Sequence, residues 1–278
     1  MSEKKILFTD IDDTLVCTDK SLSAENRASI DEFLCRGNIL VISTGRALSG
    51  AVRLMKRLDL YGLKGTYVSS YNGGTILNSE NGEILFKKTI PLSEVREVFG
   101  YAREFGIHIQ SYHKEFVVSE SMNDTLKRYL DIQQLEPMIV ESIDSAEIEC
   151  PAKLLAMDFK SPEHVDAFRE FLMPRTENRL DLFKSNPYLL EIVPHGINKG
   201  NALRHMAEAL GIPLADTISA GDAENDIPMI QAAGVGCAVA NADPRLKELA
   251  DYVTERDNNH GAIAEILERF ADIRFTSS

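Results

Sequence analysis

The chemically most informative residues are two aspartates that stand where a buried strand would end. Asp10 and Asp12 closely follow the apolar run Ile6-Leu7-Phe8 in this 278-residue chain. In an extended segment, residues two apart point to the same side at a spacing of about 6.6 Å. Both carboxylates can therefore face one pocket beyond the carboxyl end of the strand, which is where open α/β sheets bind ligands. We expect a reaction site there.

The elements that would position this pair alternate between strands and helices at both ends of the chain. In the first part, strands predicted at 4–9, 39–43 and 66–69 alternate with helices at about 23–36 and 47–59. In the last part, strands at 217–220 and 235–239 alternate with helices near 199–210, 224–233, 244–250 and 261–270. Continuous apolar strands of this kind are typical of a parallel sheet that is covered on both faces. We therefore predict an α/β fold with a doubly wound, mostly parallel, Rossmann-like core.

Between these two parts the pattern changes to that of an inserted α+β domain. Alternating strands are predicted at 107–113 and 116–119, with amphipathic helices near 92–105, 123–133 and 162–172. Turn residues mark the two junctions: Ser70-Tyr71-Asn72-Gly73-Gly74 with the Asn81-Gly82 hairpin turn at the first, and Ser185-Asn186-Pro187 at the second. We place the core in residues 1–83 and 188–278, and the inserted domain in residues 84–187.

Composition and charge narrow the classes of function. The formal net charge is −13 and we find no basic run, which argues against a general nucleic-acid surface. No stretch is as long and apolar as a membrane span, and the N-terminal residues lead into a strand without the apolar segment of a signal peptide. The cysteines lie far apart without Cys-x-x-Cys spacing, which favours reduced thiols. We expect a cytoplasmic monomer or weak homodimer that binds neither nucleic acid nor membrane.

Four short segments resemble, in order and spacing, the motifs of haloacid dehalogenase-like hydrolases. They are Asp10-Ile11-Asp12-Asp13-Thr14, Ser43-Thr44-Gly45-Arg46, Asn198-Lys199-Gly200 and Gly221-Asp222-Ala223-Glu224-Asn225-Asp226. The resemblance covers nearly the whole chain and is closest to the Cof-type phosphatases, which carry a type IIB cap domain where this chain has its insertion. Asp13, Ser43 and Asn198 depart from the commonest residues of these motifs, but none of them touches a reacting atom. One such motif alone would be weak, whereas four in order are specific.

The resemblance implies a phosphatase with defined roles for these residues. Asp10 would attack the phosphorus atom and form an aspartyl-phosphate. Asp12 would protonate the leaving alcohol and then accept a proton from the water that hydrolyses the intermediate. Lys199 would orient Asp10 and bind the transferring phosphoryl group. The other phosphate-binding positions are Thr44, Gly45, Arg46 and Asn225.

For two of these phosphate-binding residues, Thr44 and Arg46, the sequence also suggests how they would bind. Thr44 is predicted at the start of the helix near 47–59, where a hydroxyl, backbone N–H groups and the helix dipole favour phosphate. Arg46 is interpreted as a contact either to the phosphate or to the cap.

The charges of the predicted site call for a cation. A phosphate dianion beside Asp10 and Asp222 would meet like charges, at about 4 kcal/mol for each unit pair at about 4 Å and an effective dielectric of about 20. Mg²⁺ favours carboxylate, carbonyl, water and phosphate oxygens, and it would reverse this repulsion. The resemblance implies that Asp10, the backbone carbonyl of Asp12 and Asp222 hold the ion, with Asp226 acting through water. We predict Mg²⁺ as the cofactor.

Together these features predict a Mg²⁺-dependent phosphatase that acts on a small phosphorylated metabolite. Sugar phosphates are the leading substrates, followed by nucleotide-like and cofactor phosphates. The cap would act as a lid that excludes water and recognises the leaving group. Two alternatives stay open: a phosphosugar mutase or phosphotransferase with the same motifs, and a non-catalytic phosphate-binding regulatory module.

The sequence leaves two further features open. The segment Asn72-Gly73-Gly74 resembles the family's Asn-Gly segment near the cap hinge, and it also fits a plain hairpin turn. Tyr112 and His113 lie in the inserted domain, where members of this family recognise the leaving group.

Overall fold

The chain folds into two compact units. The computed structural model describes residues 4–114 and 116–273. One unit combines the chain up to Phe86 with the chain from Asn198 onward, and the other spans Lys87–Ile197.

The two units contain fourteen strands and nine helices within the described residues. The strands are β1 (Ile6–Thr9), β2 (Ile39–Ser43), β3 (Thr66–Ser70), β4 (Thr75–Asn78), β5 (Ile84–Lys87), β6 (His108–His113), β7 (Phe116–Ser119), β8 (Glu136–Ile139), β9 (Leu154–Met157), β10 (Leu180–Asn186), β11 (Leu189–Pro194), β12 (Thr217–Gly221), β13 (Val235–Ala238) and β14 (Tyr252–Val253). The helices are α1 (Ala24–Cys35), α2 (Leu48–Arg57), α3 (Leu92–Phe105), α4 (Asp124–Gln133), α5 (Pro162–Thr176), α6 (Lys199–Leu210), α7 (Ile227–Ala232), α8 (Pro244–Leu249) and α9 (Ala262–Ala271).

The first unit is built on an eight-stranded sheet in the order β14-β13-β12-β1-β2-β3-β4-β5. β1 lies between β2 and β12 and is parallel to both, with Leu7 opposite Leu40 and Ile218. β4 runs antiparallel to β3, whereas neighbouring strands among β1, β2, β3, β12, β13 and β14 pair in parallel. The predicted doubly wound, mostly parallel core is therefore confirmed.

Alternate residues of β1 enter hydrophobic clusters on opposite faces of this sheet. Leu7 packs in a cluster that includes residues of α1, α2 and α9. Ile6 and Phe8 pack in a second cluster with residues of α6 and α7. Because both faces are covered by helices, the central strands are apolar throughout, which explains why their sequence lacks alternation.

Helix and turn signals of the first unit agree with the sequence. The Ser23 hydroxyl accepts a hydrogen bond from the Asn26 N–H and caps α1, as predicted. Asn81-Gly82 forms the turn between β4 and β5, with Gly82 at a φ of 76°. Across the described ranges, 4–114 and 116–273, no helix has both the length and the apolar character that a membrane crossing requires.

The second unit is an α+β structure with a six-stranded sheet in the order β10-β11-β9-β6-β7-β8. Neighbouring strands of this sheet pair in antiparallel fashion, except that β7 and β8 are parallel. Its hydrophobic cluster joins Val98 and Phe99 of α3, Phe168 of α5 and Leu154 of β9. A buried ion pair, Lys153 to Glu191 at 2.6 Å, links β9 to β11, since Lys153 directly precedes β9.

The bounds of this unit differ from the predicted 84–187 at both ends. The β5 strand extends the sheet of the first unit, so the first boundary lies after Phe86. The predicted junction Ser185-Asn186-Pro187 instead covers the end of β10 and the start of its turn into the antiparallel strand β11, and both strands belong to the second sheet. The second boundary therefore lies after Ile197. Turn residues mark a change of direction, and a hairpin and a domain junction share that signal.

A half-buried histidine of the second unit should make stability depend on pH. Burial is the main cause that lowers the pKa of His108 to about 4, against an ordinary value of 6.5. The group contributes stability above pH 6.5, and this contribution is lost as the pH falls towards 4, because the unfolded chain then binds the extra proton. Between pH 7 and 5, urea unfolding should show a loss for the wild type that exceeds the loss for His108→Gln by about 1–2 kcal/mol.

The exposed His260 provides the control for this measurement. Because its side chain is exposed, His260→Gln removes no half-buried imidazole, and we expect it to change the pH dependence less than His108→Gln does. Identical pH slopes for His108→Gln and the wild type would contradict the predicted contribution of the buried imidazole.

Candidate active site

The predicted site residues lie at the carboxyl ends of three adjacent parallel strands. Asp10 follows β1, Thr44 follows β2 and Asp222 follows β12. The Asp10 N–H donates to the Ala220 carbonyl at 2.9 Å, and the Thr44 N–H donates to the Ser69 carbonyl at 2.8 Å. Parallel strands end at one edge, so segments far apart in the sequence meet there.

A buried lysine joins two of the aspartates. The Nζ of Lys199 lies 2.5 Å from Oδ1 of Asp10 and 2.5 Å from Oδ1 of Asp226. Lys199 and Asp226 are fully buried, and Asp10 is 8% exposed. Lys199 is the first residue of α6, which Asn198 caps by accepting a hydrogen bond from the Asn201 N–H. The cap fixes the start of the helix and with it the origin of the lysine side chain.

Asp226 has structural partners that the sequence does not predict. Its Oδ2 accepts hydrogen bonds from the backbone N–H groups of Asp222, at 2.9 Å, and Ala223, at 3.0 Å. Its other oxygen binds Lys199. Asp226 therefore holds both the loop that carries Asp222 and the lysine that contacts Asp10.

The electrostatics of this cluster favour an added cation. Burial raises the pKa of Asp10 well above its ordinary value; Lys199 opposes this rise and the neighbouring aspartates reinforce it. Burial and then the charge of Asp226 raise the pKa of Asp222 to about 7, against the hydrogen bond from Thr14. Both shifts mean that negative charge is disfavoured in the cluster as it stands. The pKa of Lys199 is raised, because its two carboxylate partners outweigh the effect of burial.

The donor set fits a hard divalent ion. Asp10, Asp222 and Asp226 each offer a carboxylate oxygen, and these oxygens lie within 4.8 Å of one another. Oxygen ligands of this type suit Mg²⁺ rather than the softer metals that prefer sulfur or nitrogen. The three aspartates are thus chemically and spatially compatible with a metal ion of this type.

Asp12 is held by two cations. Arg46 forms a bidentate pair with it, Nε to Oδ2 at 2.7 Å and Nη2 to Oδ1 at 2.8 Å, and Lys20 Nζ lies 2.9 Å from Oδ1. Burial acts to raise the pKa of Asp12, but the hydrogen bonds and charges of Arg46 and Lys20 outweigh it and lower the value to about 2. The sequence predicts that Arg46 contacts the phosphate or the cap, and in the structure Arg46 pairs with Asp12. Lys20 carries no motif that sequence reasoning could have used.

The segment after β2 is a loop and not a helix start. Helix α2 begins at Leu48 with Ala47 as its N-cap, so the prediction that Thr44 lies at the start of this helix is wrong. The Thr44 hydroxyl accepts a hydrogen bond from the Arg46 N–H at 3.1 Å, and this contact shapes the loop. The turn forms because a short hydroxyl side chain competes for a nearby backbone donor.

Asn225 and the Asn72 segment come together at the same edge. The Asn225 Nδ2 donates to Oδ1 of Asn72 at 3.0 Å. Residues Tyr71–Gly73 form a short turn between the antiparallel strands β3 and β4. The hairpin interpretation of this segment is therefore correct, and the segment also contacts the predicted phosphate-binding set.

Tyr112 and His113, the two residues of the inserted unit that were considered for recognition of the leaving group, have hydrogen-bond partners within that unit. The Tyr112 hydroxyl lies 2.7 Å from the Tyr129 hydroxyl and accepts a hydrogen bond from Gln110 Nε2 at 3.1 Å. The His113 Nδ1 accepts a hydrogen bond from the Glu149 N–H at 3.0 Å.

Comparison with known proteins agrees with this arrangement. Residues 7–267 match the family model described as haloacid dehalogenase-like hydrolase. The chain is 28% identical to a Streptococcus pyogenes protein named "Putative phosphatase M6_Spy0533", over 92% of this chain and 95% of that protein. It is 27% identical to the 5-amino-6-(5-phospho-D-ribitylamino)uracil phosphatase YcsE of Bacillus subtilis, over 94% of each chain. A crystal structure of a haloacid dehalogenase-like hydrolase from Bacteroides thetaiotaomicron superposes with a TM-score of 0.85 at 29% identity, covering 96% of this chain and 99% of that one.

Proposed function

Since the chain belongs to the haloacid dehalogenase-like hydrolase family, we propose that it is a Mg²⁺-dependent phosphatase that hydrolyses a small phosphorylated metabolite through an aspartyl-phosphate on Asp10. Its enzyme class, a phosphoric monoester hydrolase, follows from this family and from the phosphatase relatives. The observation that carries the mechanism is the buried Lys199, which holds the Asp10 carboxylate at 2.5 Å at the edge of the sheet.

The chain's own groups account for the two chemical steps. A carboxylate oxygen of Asp10 forms a bond to phosphorus while the bond from phosphorus to the leaving oxygen breaks, and the protonated Asp12 supplies the proton that this oxygen needs. Asp12 then accepts a proton from the water that attacks the aspartyl-phosphate, which releases inorganic phosphate and restores Asp10. Lys199 keeps Asp10 oriented throughout, because its partner Asp226 is anchored by backbone hydrogen bonds.

Asp12 needs a change of partners before it can act as an acid. Its pairs with Arg46 and Lys20 stabilise the ionised form, as the lowered pKa of about 2 indicates. A phosphate dianion competes for the same two cations, and binding of substrate would weaken their hold on Asp12. In this proposal Arg46 serves the phosphate in the substrate complex and Asp12 in its absence.

The metal role rests on the same cluster. Asp10, the backbone carbonyl of Asp12 and Asp222 would hold Mg²⁺, with Asp226 contributing through water. When bound, the ion supplies positive charge that offsets the repulsion between the carboxylates and the phosphoryl oxygens. Thr44, Gly45 and Asn225 complete the proposed phosphate-binding set.

The proposed substrate class is a sugar phosphate or a related small phosphate ester. One relative's name specifies a substrate with a phosphorylated ribityl chain, which is a sugar-derived alcohol. We assign recognition of the leaving group to the inserted unit, Lys87–Ile197, acting as a cap.

A substrate panel tests this function. Sugar phosphates, nucleotides, pyridoxal phosphate and flavin mononucleotide should be assayed for phosphate release with Mg²⁺ and with EDTA. We expect release that requires Mg²⁺, with sugar phosphates among the best substrates. Release that persists in EDTA would contradict the metal role. Transfer to a sugar acceptor that outpaces hydrolysis in a phosphorus NMR experiment would favour a mutase or phosphotransferase instead.

A further inference from the structure

A buried turn lies against the segments that carry the predicted site residues, and its central residue, an asparagine, has a left-handed backbone conformation. The turn is Tyr71–Gly73, which connects β3 to β4. Asn72 is fully buried and has a φ of 56°. Asparagine is among the few residues other than glycine that adopt this left-handed conformation, at a modest cost in free energy. The contacts of Asn72 show what the buried turn positions.

These contacts lead to two of the motif segments. The Asn72 N–H donates to the Thr44 carbonyl at 2.9 Å, and its Oδ1 accepts from Asn225 Nδ2 at 3.0 Å. A methyl group on Gly45 would lie 3.1 Å from the Asn72 Nδ2, so this amide lies directly against the Gly45 backbone. Thr44, Gly45 and Asn225 are three of the proposed phosphate-binding residues.

The neighbouring glycine ties the turn to the segment of the catalytic lysine. Gly73 has a φ of 104°, and a Cβ there would come within 2.9 Å of the Asn198 carbonyl oxygen. Asn198 is the cap of α6 and directly precedes Lys199. The turn therefore packs closely against the N-terminal end of α6 and its cap, and this packing restricts the position of Asn72.

One polar group of this turn lacks a partner. The Asn72 Nδ2 is buried and has no hydrogen-bond acceptor among residues 4–114 and 116–273. A buried donor left unsatisfied costs about 1–3 kcal/mol. An oxygen of a ligand bound beside Gly45 would remove this cost, and the proposed substrate brings several such oxygens.

Resting on the proposed function, we propose that Asn72 is a further phosphate-binding residue. Its Oδ1 fixes the Asn225 amide, and its Nδ2 donates a hydrogen bond to an oxygen of the bound phosphoryl group. The residue acts on substrate and product phosphate alike, so its loss weakens binding of both.

The test replaces the donor while it keeps the acceptor. Asn72→Asp retains an oxygen for Asn225 and tolerates the left-handed backbone, but it places a negative oxygen where the donor was. With p-nitrophenyl phosphate as substrate and inorganic phosphate as inhibitor, we expect the KM and the inhibition constant to rise at least tenfold, about 1.4 kcal/mol. Asn72→Gly relieves the backbone strain and removes the amide, and it should weaken phosphate binding less than Asn72→Asp does.

Controls separate this role from a structural one. Asn78→Asp makes the same chemical change at the far end of β4, where the Asn78 Oδ1 accepts from the Glu80 N–H, and it should keep wild-type kinetics. A double-mutant cycle of Asn72→Gly with Asn225→Ala should be non-additive. Phosphate affinity of Asn72→Asp equal to that of Asn78→Asp, or full additivity in the cycle, would overturn the assignment. Absence of phosphate release by the wild type would instead refute the proposed function.

Discussion

Replacing Asp10 with asparagine is expected to abolish phosphate release while leaving the fold at least as stable as before. The amide has the shape of the carboxylate but is a poor nucleophile, so kcat should fall by at least about 10³-fold. The raised pKa of Asp10 shows that its ionised form is disfavoured in the fold, chiefly by burial. Lys199 stays paired with the fully buried Asp226 in this variant, so the amide removes a disfavoured charge without leaving the ammonium unpaired. Without Mg²⁺ the melting temperature should therefore stay equal or rise.

Two measurements complete this test. Mg²⁺ should stabilise the wild type more than the variant, because the ion loses a charged ligand in Asp10→Asn. Asp31→Asn is the matched control, since Asp31 is an exposed residue of α1 that pairs with Arg27. It should retain wild-type turnover and an unchanged response to Mg²⁺. Substantial turnover by Asp10→Asn would refute the covalent mechanism.

The core of the fold could be predicted from the sequence because its signals are local. The apolar runs of β1 and β2 and the Ser23 cap of α1 each fix their own element. Once parallel strands are assigned, the meeting of Asp10, Thr44 and Asp222 follows, since the ends of these strands share one edge. The assignment of the strands therefore also predicts the approximate positions of the motif residues in the fold.

The contacts that could not be predicted depend on turns and on long-range pairing. Lys20 has a φ of 66°, and from this backbone conformation its side chain reaches Asp12. No pattern of residue types in the sequence specifies that geometry. The sequence predicts only β6 and β7 among the six strands of the second sheet. The place of β9 between β6 and β11 depends on pairing between segments that are distant in the sequence. The turn at Asn72 fits the sequence, whereas its contact with Asn225 becomes visible only when the two segments meet.

Replacing Lys199 with methionine should reduce both stability and activity, with a loss of stability that Mg²⁺ partly reverses. The variant leaves Asp10 and the fully buried Asp226 without their shared ammonium group. Removing one partner of a buried ion pair typically destabilises by about 3–5 kcal/mol, and we expect a loss of this size in EDTA. At about 100 times its Kd, Mg²⁺ stabilises any protein with an intact site, including the wild type, by about 2.7 kcal/mol. The variant lacks the ammonium group that opposes the ion, so it should bind Mg²⁺ more tightly and gain more than the wild type does.

The buried ion pair of the inserted unit supplies the control for this effect. Lys153→Met breaks the pair with Glu191 in the inserted unit, where both side chains are about as buried as Lys199. It should destabilise by a similar amount, but its loss should be the same in Mg²⁺ and EDTA, because the proposed metal ligands are all in the other unit. Urea unfolding of both variants with and without Mg²⁺ measures the difference. The quantity to compare is the gain in stability of each variant from EDTA to Mg²⁺. An equal gain for Lys153→Met and Lys199→Met would show that the added cation does not compensate for the lost ammonium group. That result would refute the charge balance on which the proposed mechanism rests.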